Sequence, residues 1–259
     1  MWLPVVTLLL TVALVGAYVW VADGRRFQTV YHLLRTDSGP IRDLDGSRGP
    51  VGLRGRAVVG DDDTVTAPFT GTECLACTYE AEERLKGVNG HSWTTLDEGM
   101  SGVDFVVEDD TGRVAVDPAG ANLQFEDHTT TILPDDDDLP ERVADYVAGS
   151  SDIDRRNRTV DLSIAQLHTG NRLRFTEQRL DVGEQVYVHG QARAGPSVEW
   201  GSNLIDTIVG DGEAIPAFVI SDTNKRGTAW RLAQPGLRRF LMAVSTIGVG
   251  GVLVALFLA

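Results

Sequence analysis

The sequence predicts a mainly β protein: an antiparallel, barrel-like β domain with one short helix, bracketed by two transmembrane helices. Three observations carry this. Short Val-rich segments with period-two alternation recur between turn residues from position 51 to 222, as strands do. One stretch, 138–149, has helical spacing instead. Both chain ends hold uncharged apolar runs of about 20 residues, the length a helix needs to cross a bilayer at roughly 1.5 Å rise per residue.

The first span is expected over 2–22. No Lys or Arg precedes Arg25, so the basic start of a secretory leader is missing, and Trp2, Tyr18 and Trp20 sit near the ends of the run, where aromatic rings favour the lipid–water boundary. In the juxtamembrane segment, 23–45, Phe27, Val30, Leu33 and Leu34 keep helical spacing, so the first helix should run on until Ser38-Gly39-Pro40 ends it. Residues 46–50 read as a loop, 46–239 as the β domain, and 240–259 as the second span.

Within the β domain, strands are expected at 51–59, 64–71 and 74–85. In the last of these, Leu75, Cys77, Tyr79 and Ala81 alternate with Ala76, Thr78, Glu80 and Glu82. His91–Leu96 should pair with that strand or the next. Residues 103–125 form the clearest hairpin, two Val-rich runs around Asp109-Asp110-Thr111-Gly112, where Gly112 can take positive φ. Asp117–Gly120 is a second turn. In the internal helix, Asp138 can cap, Pro140 and Glu141 suit the first turn, Leu139, Val143, Tyr146 and Val147 share a face, and Gly149 ends it. Strands resume at 172–180, 184–195 and 215–222, the first two joined by Val182-Gly183-Glu184.

Charge excludes one function class. The chain carries 37 acidic against 23 basic residues, net −14, with no basic patch able to neutralise phosphates, so nucleic acid is not a partner. Only Lys86 and Lys225 are lysines. This acidic, lysine-poor composition resembles that of proteins from salt-loving archaea. The runs Asp61–Asp63 and Asp135–Asp138 read as solvated loops; oxygen ligands suit Ca²⁺, but neither run has the spaced calcium-loop pattern. Arg25 and Arg26 follow the first span, and Lys225, Arg226, Arg231, Arg238 and Arg239 precede the second, while the outer flanks hold no Lys or Arg. The positive-inside rule then gives a multi-pass cell-membrane protein with 23–239 in the cytoplasm and both termini outside. Its two cysteines would stay reduced there.

Chemistry-bearing motifs are scarce. Cys74-Leu-Ala-Cys77 is the one C-x-x-C. Residues three apart on a strand point to opposite faces, so one ion could not take both without a turn. A core cysteine pair is the reading the spacing favours, with metal binding and redox exchange as alternatives. No second Cys or His pair completes a four-ligand zinc site, and no G-x-S-x-G, phosphate-cradling Gly loop or H-E-x-x-H is present. His189 on Val186–Gly190 reads as a satisfied strand histidine rather than a base. No catalytic, cofactor-binding or metal residue is assigned. Ser245, Gly248, Gly251 and Ala255 line one helical face, a small-residue stripe suited to packing on Thr7, Thr11, Ala13, Gly16 and Ala17 or on a second copy.

The blocks "IRDLDGSRGPVGLRGRA", "TAPFTGTECLACTYEAEE", "FVVEDDTGRVAVDPAGA" and "RFTEQRLDVGEQVYVHGQA", in this order between two apolar runs, resemble the GIDE-type membrane ubiquitin-ligase family over about residues 35–239. The resemblance implies a RING after the second helix that recruits the ubiquitin-conjugating enzyme. The sequence stops at Ala259, where a RING would begin, and holds no Cys/His array. It also implies a domain facing the mitochondrial intermembrane space, whereas the arginines place this one in the cytoplasm. The expected function is a non-catalytic integral membrane protein whose β domain binds a partner protein or the membrane surface, its partners being membrane lipid, a protein and a second copy through Gly248, Gly251 and Ala255. The alternatives are a membrane-associated enzyme with a non-obvious site, and a ligase-like scaffold that recruits a separate RING or modifier protein.

Overall fold

A computed structural model describes residues 3–44, 48–60, 63–87, 90–133, 142, 143, 146, 172–195 and 204–258. One helix, α1 (Leu3–Arg35), joins the apolar start to the juxtamembrane segment without a break. A 3-10 turn (Ile41–Leu44) leads to the strands β1 (Gly49–Val59), β2 (Val65–Thr66), β3 (Glu73–Cys74), β4 (Ala76–Gly87), β5 (Gly90–Gly102), β6 (Phe105–Asp109) and β7 (Gly112–Val116). After them come β8 (Asn122–Gln124), β9 (Asp127–Leu133), β10 (Leu173–Leu180), β11 (Gln185–Ala194), β12 (Leu204–Gly210) and β13 (Val219–Ser221). A second helix, α2 (Lys225–Leu258), ends the chain.

Five strands close on themselves in the order β1-β6-β7-β12-β11, with β11 returning to β1; β13 and β8 extend the same sheet. Closure removes the unpaired edges that an open sheet leaves. Val51, Leu53, Phe105, Val107, Val114, Val116, Val186, Val188 and Val209 fill the interior. They come from alternate positions because successive side chains on a strand point to opposite faces. A second, antiparallel sheet, β5-β4-β10-β9, stands beside the barrel. It has its own small core of Phe69, Ala81, Val143, Leu173 and Phe175.

The mainly β, barrel-like expectation holds, with corrections. The barrel is not wholly antiparallel: β12 pairs β7 in parallel, and β13 pairs β8 in parallel. Strands β9 and β12 had no counterpart in the sequence reading. The expected strand 64–71 shrinks to two residues because Pro68 cannot donate to a ladder. Residues 49 and 50, read as loop, already belong to β1. Of 215–222 only Val219–Ser221 is strand. His91–Leu96 lies within β5 and pairs with β4. The β6–β7 turn is held by the Asp109 carboxylate, which accepts from the N–H groups of Thr111 (2.7 Å) and Gly112 (3.0 Å), rather than by a positive φ at Gly112. The turns at Gly120 (φ 77°) and Gly183 (φ 93°) do use glycine's freedom. Arg142, Val143 and Tyr146 are described, and Val143 is helical as expected; the rest of 138–149, with Asp61, Asp62 and Asp135–Asp138, lies outside the described residues.

The two long helices leave the barrel together. Their contacts step in opposite directions along the chain: the Lys225 ammonium donates to the Thr36 carbonyl at 2.6 Å, Leu33 packs with Ala229 and Leu232, a Cβ on Gly236 would meet Phe27 at 3.0 Å, and Arg239 reaches Asp23. They are therefore antiparallel, and both apolar ends depart on the same side. Leu33, Ala229 and Leu232 close over Tyr187 and Val219 on the outer wall of the barrel. Each large apolar side chain so buried is worth about 1.5–3 kcal/mol, which fixes the helix pair to the wall. Among the residues whose side chains are described, no helix is long and apolar enough to cross a membrane.

Candidate functional site

The densest polar cluster lies where the turn after β2 meets β10. Pro68 stops β2, and the chain turns through residues 67–72, closed by the N–H of Ala67 on the Thr72 carbonyl and the N–H of Gly71 on the Ala67 carbonyl, both 2.9 Å. Gly71 takes a φ of 70°. The turn aims the N–H groups of Phe69 (2.9 Å) and Thr70 (3.2 Å) at Oε2 of Glu177 on β10. The Thr70 hydroxyl (2.7 Å) and Arg179 Nη1 (2.8 Å) donate to Oε1. A register shift in the β10–β9 ladder falls between Glu177 and Gln178. Irregularities of this kind re-aim side chains.

Glu177 is fully buried. Burial alone would raise its carboxyl, but hydrogen bonds from Thr70, Arg179 and the turn's N–H groups bring it below the usual range. Burial would likewise lower Arg179, yet Asp181 (3.1 Å) and Glu177 hold it above its ordinary value. A carboxylate whose two oxygens accept four hydrogen bonds is fixed as an anion and poorly placed to take a substrate's proton. The cluster staples the 67–72 turn to the second sheet. Sequence reasoning missed it, although Glu177, Arg179 and Asp181 recur every second residue, the spacing of one strand face.

Next to this staple lie Cys74 and Cys77, both fully buried with Ala67 and beside Val65. The expectation of opposite faces fails because the chain bends at Leu75 between β3 and β4, which turns both side chains into one cluster. They are free thiols. The Cys74 thiol points to the Val65 carbonyl at 3.6 Å. Its neighbour Cys77 and burial push Cys74 far up, whereas the hydrogen bond from Cys74 draws Cys77 down against burial. Among the described residues no group of three His, Cys, Asp or Glu side chains could hold a metal ion.

Above the staple, Phe69 stands edge-on to Tyr79, Tyr146 and Phe175 at centroid separations of 5.7, 5.2 and 5.2 Å, and the Tyr146 hydroxyl donates to Asp97. Through these rings the turn meets Tyr79 on β4, Phe175 on β10 and Tyr146. Such edge-to-face pairs add about 0.5–1.5 kcal/mol each beyond their buried area.

The second cluster lies at the helix–barrel joint. His189 on β11 is fully buried beside the Val51 backbone, and neither ring nitrogen makes a hydrogen bond of good geometry, so it is less well satisfied than the sequence suggested. Burial, with His32 next, pulls its imidazole down to about 4. On the outer side of α1, Gln28, Tyr31 and His32 form an open groove of about 410 Å³ with Glu213, Ala214, Ile215 and Pro216.

Residues 77–201, from β4 to just before β12, match the family model GIDE, described as E3 ubiquitin ligase. The chain carries a GIDE domain. No curated protein and no solved structure matches it. The matched segment of the GIDE domain contains Glu177, Arg179 and His189, whereas the barrel also needs β1 and β12, which lie outside the match. The turn that Glu177 staples likewise precedes the matched GIDE segment.

Proposed function

We propose that this GIDE protein is a membrane-anchored, non-catalytic binding module, with 2–22 and 240–259 crossing the bilayer and 23–239 standing on its cytoplasmic side. The observation that carries this is the antiparallel step of α1 against α2 from Thr36–Lys225 down to Asp23–Arg239. It sends two uncharged runs off the same side of the barrel and gathers Arg25, Arg26, Arg238 and Arg239 at their base. Arginines in that position mark the cytoplasmic face. A binding role fits the polar clusters: the Glu177 carboxylate is saturated by donors and both thiols are buried. The occupant of the β domain is a partner protein, and Gly248, Gly251 and Ala255 offer a face for a second copy.

A second reading, a ligase-like scaffold, draws on the E3 description of the matched family. These 259 residues hold two cysteines, too few for the paired zinc sites of a RING. Transfer chemistry would then come from another segment or another protein.

Alkaline carbonate extraction of membranes from cells expressing the full chain tests the anchoring. The chain stays in the pellet if both runs span the bilayer. Release into the supernatant contradicts the reading.

A further inference from the structure

The second sheet ends in an open edge. Its order is β5-β4-β10-β9, so β5 pairs with β4 on one side only. The Val103 N–H donates to the Leu75 carbonyl at 3.0 Å, on the β4 side. Backbone groups alternate along a strand, so Ser101, Gly99 and Asp97 face β4 as well, while Met100 and Glu98 turn their N–H and C=O groups to the open side. On the inner face Tyr79 and Leu96 pack into the small core and Asp97 accepts from the Tyr146 hydroxyl, which holds the strand while its edge stays free. Glu98 is exposed, and Met100 is 48 % exposed. The register shift at Ala81/Glu82 leaves Leu96 as an extra residue in β5. Such a bulge bends an edge, so the regular stretch runs from Asp97 to Gly102. Edges are commonly guarded by Lys, Pro or a bulge. This stretch holds no Lys and no Pro, and its one outward charge is Glu98. A single carboxylate there turns away acidic segments and admits basic ones.

Glu98 stands directly opposite Glu80 of β4, and like charges so placed repel. Glu80 accepts from the Thr95 hydroxyl at 2.8 Å, whereas Glu98 has neither hydrogen bond nor ion pair among the described residues. We propose, on the reading of the domain as a binding module, that this edge takes a basic extended segment of a partner protein as an added strand. The segment's main chain bonds to Glu98 and Met100, the mode by which open sheet edges capture peptides. One Arg or Lys of the segment lies between Glu98 and Glu80 and relieves their repulsion. An apolar residue two positions away covers Met100, whose unbranched thioether adapts to different neighbours. A second copy fits this edge poorly, because it would bring a chain of net charge −14 against the same carboxylates.

The test is panning of a phage-displayed library of random linear peptides on the detergent-solubilised full chain, followed by fluorescence polarisation with the enriched peptides. These should carry Arg or Lys with an apolar residue two positions away, and should lack Asp and Glu. Glu98→Arg, at an exposed position, should lower their affinity about tenfold or more, the scale of one lost charge-assisted contact, without changing the melting temperature. Met100→Pro removes an outward N–H without touching the β4 ladder, and should abolish binding. Met100→Thr keeps that N–H and should weaken binding only mildly. Absence of enrichment, or enrichment of acidic peptides, overturns the proposal. Enriched peptides that bind Glu98→Arg as they bind the parent overturn it too, while leaving the domain a binding module with its site elsewhere. A chain that is dimeric in detergent and monomeric as Met100→Pro assigns the edge to a second copy and likewise overturns it.

Discussion

Arg239 on α2 donates to Asp23 on α1 at 2.8 Å, across 216 positions of sequence. Asp23 is 1 % exposed and its Oδ2 has no partner, while the Arg239 side chain is 54 % exposed. The two ends of the pair therefore differ. Arg239→Ala leaves a buried carboxylate with only Arg26 at 3.9 Å, whereas Asp23→Ala leaves an arginine that can turn to water. Removing one partner of a buried charge costs more than removing both. Melting in detergent should show Arg239→Ala as the more destabilised single variant, with Asp23→Ala/Arg239→Ala recovering part of the loss. Equal losses in the two single variants would count against this.

The same stepping of contacts makes a prediction within the apolar runs. Asp23 with Arg239, Phe27 with Gly236 and Thr36 with Lys225 define an antiparallel register. Continued along both helices, it brings Thr11 level with Gly251. Thr11→Cys with Gly251→Cys should form an oxidant-induced crosslink within one chain, and Thr11→Cys with Met242→Cys should not. A crosslink in the second pair alone would break the register.

Glu177→Ala should release the 67–72 turn. It leaves the half-buried Arg179 with Asp181 as its one remaining carboxylate among the described residues, and the N–H groups of Phe69 and Thr70 without their Glu177 acceptor. Breaking such a buried pair costs about 3–5 kcal/mol. Hydrogen exchange at Phe69 and Thr70 should accelerate in the variant. Unchanged protection at these amides would remove the staple from the account.

Gly55 tests the barrel. A Cβ there would stand 2.4 Å from the Glu108 carbonyl oxygen and 2.7 Å from Val107 Cγ1. Gly55→Ala must force β1 away from β6, a cost of about 1–3 kcal/mol. Gly183→Ala, which meets nothing within 4 Å but has a φ of 93°, should cost less.

Stability should fall on mild acidification, and His189 sets the window. Its imidazole titrates near 6.5 when unfolded and about 4 when folded. Between those values the unfolded chain binds more protons, so unfolding is favoured as pH drops. The contribution is full above 6.5 and is lost progressively down to about 4. Glu177 acts in the same direction lower down: its carboxyl is held below the ordinary value of 4.5, so its contribution disappears as pH falls through the folded value. His189→Leu should flatten the melting temperature between pH 6.5 and 4. A variant as acid-sensitive as the parent would exclude His189 as the cause.

Local patterns in the sequence were legible where one rule acts alone. Alternation located β1, β10 and β11, the Asp117–Gly120 turn was plain, and the helical spacing of Phe27, Val30 and Leu33 extended α1 past its apolar run. Features set by distant partners were not legible. The parallel pairing of β12 with β7 joins segments about 90 residues apart, and β12 carries no clear alternation. The bend at Leu75 interrupts an unbroken period-two run and reverses the expected placement of Cys74 and Cys77. The Glu177 staple was hidden for a similar reason: its spacing is visible, but its acceptance of two N–H groups depends on a turn 107 residues away.

The central claim is that the barrel is held at the cytoplasmic face by helices that cross the membrane. Asp110 lies exposed at the β6–β7 hairpin tip, and Cys74 and Cys77 are fully buried, so Asp110→Cys adds a single accessible thiol. Intact cells expressing this variant are treated with a membrane-impermeant maleimide, and a second sample is lysed first. The account predicts labelling only after lysis. Labelling in intact cells would place the barrel on the outside and contradict it.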